Sequence, residues 1–69
     1  MVKNNLSRIM GAKRLKITDV ARGTGVHRGT ITRLYHEETL RVEFSVLEKL
    51  CDFLSCEIGE LLEIQKVAS

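Results

Sequence analysis

Residues Ile17 to His36 read ITDVARGTGVHRGTITRLYH, and the spacing of apolar and small residues in this stretch decides the fold. Val20 and Ala21 recur on one side of a helix predicted over Ile17–Thr24, and Val26, Ile31 and Leu34 continue the same inward face beyond Gly25. A glycine at that point suits a sharp turn, because the left-handed backbone such a turn requires costs glycine nothing. A small residue at position 21 lets two helices cross closely, where a bulky one would hold them apart. The second helix, predicted over Arg28–His36, then presents Arg28, Gly29, Thr32, Arg33 and His36 outward. Two short helices joined by a glycine turn, with one pinned face and one exposed basic face, are the pattern of a helix-turn-helix.

Outward from this stretch the chain reads as helical throughout. A first helix is expected from about Asn5 to Lys13, burying Leu6, Ile9 and Met10. A fourth runs from about Ser45 to Leu54, where Leu47, Leu50, Cys51 and Leu54 recur at i, i+3, i+4 and i+7, with Ser45 and Glu48 as a capping box. A short fifth, about Ile58 to Ile64, buries Leu61 and Leu62. Strand signals are essentially absent. The expected architecture is therefore all-α: five helices in one domain over residues 1–69, with its core at about 4–64.

The 69 residues hold 43% hydrophobic residues and no proline, enough for one small core and against disorder. No stretch has the length and apolarity of a membrane span, and the polar N-terminus has no signal-peptide core, which points to the cytoplasm. The net charge of +2 conceals an asymmetry. Residues 1–36 hold eight bases against Asp19 alone, whereas residues 37–69 hold Arg41, Lys49 and Lys66 against eight acids. A basic half that coincides with the exposed helix face fits a polyanionic partner. Cys51 and Cys56 have neither a disulfide framework nor paired metal-ligand spacing. Cys51 falls on the apolar stripe and reads as a buried structural thiol, with a redox-sensing pair as the alternative.

In a major groove, the N-terminal end of such a helix lies nearest the base edges. Arginine bonds guanine bidentately, a contact worth about 1–3 kcal/mol of discrimination, so Arg28 and Arg33 are the candidates for base reading. Thr32 offers a hydroxyl to a base or a methyl to thymine. Gly29 costs a helix about 1 kcal/mol relative to alanine. Either close approach of its backbone to DNA or tolerance of a weak helix former explains it.

These residues bring the chain close to a known family. Over about residues 4 to 64 it resembles the lambda-repressor-like, Cro-type (XRE-type) helix-turn-helix domains. Ala21, Gly25, Val26, Ile31 and Leu34 carry the resemblance, with the run LEKLCDFLSCEIGELLEI from Leu47, which is similar to a short stand-alone bacterial and prophage subgroup. The resemblance implies that Arg28, Gly29 and Arg33 face bases, while Ile17, Thr30, His36 and the segment after the third helix, with Arg41, lie near phosphates. Relatives often carry glutamine at the place of Ile17, after a threonine or serine cap where this chain has Lys16; Lys16 or Thr18 would replace that polar contact. His27 stands at the usual serine or threonine cap of the reading helix. It reads as a polar cap, and His36 as a phosphate neighbour, rather than as metal ligands.

The implied function is a sequence-specific, repressor-like transcriptional regulator binding double-stranded DNA. One domain reads too few base pairs to find a site in a genome, so a homodimer on an inverted repeat is expected. Ile58, Ile64 and Val67 are the expected dimer contact. The competing reading is a protein-interaction module, such as an antitoxin or bridging factor, that works through the acidic C-terminal half. No cofactor, metal or small-molecule ligand is expected. The chain offers no nucleophile or acid–base constellation for an enzyme.

Overall fold

The computed structural model describes residues 2–38 and 41–64. Five helices carry the fold: α1 (Leu6–Ala12), α2 (Ile17–Thr24), α3 (Arg28–Tyr35), α4 (Phe44–Leu54) and α5 (Ile58–Leu61). Their inner faces share one core of Leu6, Met10, Val20, Val26, Ile31, Leu34, Leu47, Leu50, Leu54 and Leu61. Ile9, Ala21 and Leu62 pack against that core half-buried.

The expectation of no strands is corrected by a two-stranded antiparallel sheet. β1 (Val2–Asn4) pairs with β2 (Leu62–Ile64) in the register Val2 to Ile64, Lys3 to Glu63 and Asn4 to Leu62. The fifth helix accordingly stops at Leu61, and Ile64 belongs to the sheet. Asn5 ties the sheet to the helices. It is buried, its N–H donates to the Leu61 carbonyl (2.7 Å), and its side-chain Nδ2 donates to the Glu60 carbonyl (3.1 Å). Beside it, the Asn4 side chain accepts the first N–H of α1, from Leu6 (3.2 Å).

Three helices end in the same stop: a residue in the left-handed conformation, then an N–H that reaches back across the last turn. Arg14 (φ 55°), Glu37 (φ 57°) and Ser55 (φ 53°) hold that conformation after α1, α3 and α4. The N–H groups of Leu15, Glu38 and Cys56 then meet the carbonyls of Met10 (2.9 Å), Arg33 (2.9 Å) and Cys51 (3.1 Å). In such a stop the two residues joined by the longer bond commonly touch through apolar side chains. After α4 those residues are Cys51 and Cys56, which explains their proximity as part of the helix end. Cys51 is half-buried rather than fully buried, because its edge of α4 is left uncovered.

The Ser45–Glu48 capping box does not form. Helix α4 begins one residue earlier, after Glu43, and the Ser45 hydroxyl donates to the Glu43 carboxylate (3.4 Å) instead. Val67 and the rest of the C-terminal tail lie outside the described residues.

Candidate nucleic-acid interface

Helices α2 and α3 are joined by three residues, and their angle is fixed from within. Gly25 takes φ 74°, and its N–H closes α2 onto the Ala21 carbonyl (2.9 Å). The Thr24 hydroxyl adds a brace that the sequence reading missed. It donates to the Val20 carbonyl (2.7 Å) and accepts the Val26 N–H (3.1 Å), so one side chain spans the turn. Val26 then enters the core, and Ile31 and Leu34 hold the inner face of α3 against it. With that face anchored, the rotation of α3 about its axis is settled, and so is the set of residues pointing out.

Arg28, Gly29, Arg33 and His36 are exposed, and Thr32 is half-buried between them. The Thr32 hydroxyl donates to the Arg28 carbonyl (2.9 Å), which commits its proton within the helix and leaves the oxygen able to accept. A methyl group added at Gly29 would meet no atom of the protein, so packing within this chain does not require glycine there. The His36 ring, just past the helix end, stands edge-on to Tyr35 at 5.1 Å between centroids.

His27 occupies the position before α3 but makes no side-chain cap bond. Thr30 and Ile31 direct their N–H groups to the His27 carbonyl, while no acceptor among the described residues meets the N–H of Arg28 or Gly29. The N-terminal end of a helix carries partial positive charge, which favours an anion near such free donors. The opposite end of α3 leads into exposed Glu37 and Glu38. The start of the helix is therefore the end at which the backbone favours an anion, while Arg33 supplies positive charge in the last turn. No carboxylate among the described residues pairs with Arg28 or Arg33, so both guanidinium groups remain available.

An open groove runs along α3 toward α4. It brings His27, Thr30 and Arg33 together with Arg41, adds Ser45 and Lys49, and includes one carboxylate, Glu43, which the Ser45 hydroxyl meets. Lys49 was not expected in the interface. It sits in the acidic half of the sequence, and only the placement of α4 beside α3 returns its charge to the basic face. The helical spacing of Ser45 and Lys49, on the polar flank of α4, was the available signal.

The residues that open α2 are separate from this groove. Lys16 is exposed, and its N–H donates to the Asp19 carboxylate (2.9 Å), which caps α2 from inside the helix. Thr18 is exposed, whereas Ile17 packs half-buried against the core. Its side chain is therefore occupied, and its main chain is the part left to meet a phosphate.

A glycine turn with a fixed crossing, a reading-length helix and an uncommitted basic outer face define a helix-turn-helix DNA-binding domain. The model for the Cro/C1-type helix-turn-helix DNA-binding domain matches residues 5–66 of the 69, and the chain belongs to that family. A comparison with curated proteins finds no match. Among the described residues no helix is long and apolar enough to cross a membrane, and no three His, Cys, Asp or Glu side chains are grouped to hold a metal ion.

Proposed function

We propose that the protein is a sequence-specific transcriptional regulator of repressor type, which lays α3 in the major groove and binds an inverted repeat as a homodimer. The observation that carries this reading is the outer face of α3, where Arg28 and Arg33 are exposed, unpaired by any described carboxylate, and held in fixed rotation by Ile31 and Leu34. Arg28 and Arg33 read guanine, and Gly29 and Thr32 lie against the base edges between them. His27, Thr30, His36, Arg41 and Lys49 follow the phosphates on one side, and Lys16, Thr18 and the main chain of Ile17 follow them on the other.

Dimerisation uses the small sheet. Val2 and Ile64 form a cross-strand pair and are 65% and 76% exposed, a pair of apolar side chains beside strand edges that have no further partner among the described residues. A sedimentation series showing only monomer, with and without operator DNA, would remove the homodimer from this account.

Two kinds of substitution test the interface. Arg28→Ala or Arg33→Ala should weaken binding to a selected operator by about 1–3 kcal/mol each and relax the base preference at one position. Lys49→Ala should weaken binding to all sequences alike and lower the salt dependence by about one ion. If the arginine variants bind the operator as the parent does, α3 is not the reading helix.

A further inference from the structure

Another open face lies on the opposite flank of α4. Phe44, Leu47 and Cys51 follow one another there at i, i+3 and i+7, and Ile58 and Leu62 stand across a shallow groove from them. Phe44 is 88% exposed at the first turn of α4, although it is one of only three aromatic residues in the chain. Exposed aromatic side chains beside a groove are the usual anchors of protein contacts. The charged lining is acidic throughout: Glu48, Asp52 and Glu57, with no lysine, arginine or histidine. Lys13 acts on Cys56 electrostatically but does not line the groove.

We propose that this groove binds a basic amphipathic helix of a second protein. Its apolar stripe would cover Phe44, Cys51 and Ile58, above the buried Leu47, and its lysines or arginines would meet Glu48, Asp52 and Glu57. Charge selects this occupant over the others. A second copy applied through the same face would bring an acidic lining against an acidic lining, and juxtaposed like charges disfavour an interface. Among the described residues no basic helix is spare to offer a second copy, since α1 has committed Leu6 and Met10 to the core, α2 Val20, and α3 Ile31 and Leu34. Nucleic acid is repelled by the same carboxylates. The α3 groove uses Ser45 and Lys49 on the other flank of α4, so DNA and the partner helix can be held together.

The test is a titration of isotope-labelled protein, followed by amide chemical shifts, with two designed peptides of about 14 residues, near the shortest helical length in water. One carries leucine at i, i+3, i+4 and i+7 with lysine elsewhere; the other replaces each lysine with glutamate. The leucine–lysine peptide should give saturable shifts centred on Phe44, Glu48, Cys51 and Ile58. Its affinity should fall roughly tenfold in Phe44→Ser, and by a similar factor in Glu48→Lys/Glu57→Lys, as for loss of an anchor or a charge pair. Phe44 and both glutamates are exposed, so these variants keep the core; Glu57 also caps α5, so circular dichroism checks that the fold is kept, and operator affinity should stay that of the parent. A non-saturating response, equal binding of the leucine–glutamate peptide, or unchanged affinity in Phe44→Ser would overturn the proposal. So would shifts at these same amides on raising protein concentration alone, which would make a second copy the occupant.

Discussion

Gly23 and Phe53 set two measurable effects against each other. Gly23 lies in the last turn of α2, and a methyl group added there would fall inside the Phe53 ring of α4. Alanine for glycine within a helix is worth about 0.5–1 kcal/mol. The ring must leave to admit it. Phe53 is 36% exposed, so roughly two-thirds of the side chain is covered, and a fully buried phenylalanine contributes about 1.5–3 kcal/mol. Displacing the ring therefore forfeits about 1–2 kcal/mol, and Gly23→Ala alone should be close to neutral or destabilising by about 1 kcal/mol. Phe53→Ala alone should cost about 1–2 kcal/mol. In that background nothing blocks the new methyl, and Gly23→Ala should now stabilise by about 0.5–1 kcal/mol. The coupling in the cycle is then about 1–2 kcal/mol, read from urea unfolding followed by helical circular dichroism. In a domain of this size 1 kcal/mol moves Tm by about 4–8 °C, which thermal melts resolve. If Gly23→Ala has the same effect with and without the ring, Phe53 does not pack over Gly23, and the α2–α4 contact is misassigned.

Gly25→Ala forces an alanine to φ 74° and should cost about 1–2 kcal/mol, whereas Arg14→Gly and Ser55→Gly relieve the same conformation and should raise Tm. Asn5→Ala leaves the Glu60 carbonyl without its donor and should cost about 1–3 kcal/mol, with hydrogen exchange quickening first over Leu61–Ile64. Burial, and next the neighbouring Cys51, push the Cys56 thiol above its ordinary value of 9.0, so alkylation of Cys56 should be slower than that of a free thiol at the same pH. The folded state thus keeps this proton to higher pH than the unfolded chain does. Its contribution to stability is full below about pH 9 and declines as pH rises through the folded value, a decline that pH-dependent melts should find absent in Cys56→Ser.

The long helices were legible because their apolar spacing repeats over two or three turns. Helix α2 occupies the expected Ile17–Thr24, and α3 differs only at its last residue, His36. The sheet was not legible, because three-residue strands are too short to show a period and their partners lie at opposite ends of the chain. Ser45 has the residue type for a cap, yet Glu43 took the extended backbone before the helix, and residue type alone does not reveal which of two neighbours will. The outer face of α3 followed from periodicity alone. Lys49 did not, since its charge joins that face only through the packing of α4, and the Thr24 brace depends on a rotamer that sequence does not record.

In the proposed complex, base reading rests on Arg28 and Arg33 of α3. Its most direct test is selection from a random duplex pool with the parent and with Arg28→Ala/Arg33→Ala, each winner then measured against scrambled DNA at two salt concentrations. The parent should enrich an inverted repeat with guanine at fixed positions and prefer it by roughly a thousandfold or more. The double variant should lose that preference while keeping salt-sensitive, sequence-independent binding. Equal enrichment by both proteins, or enrichment by neither, would rule out base reading by these two arginines.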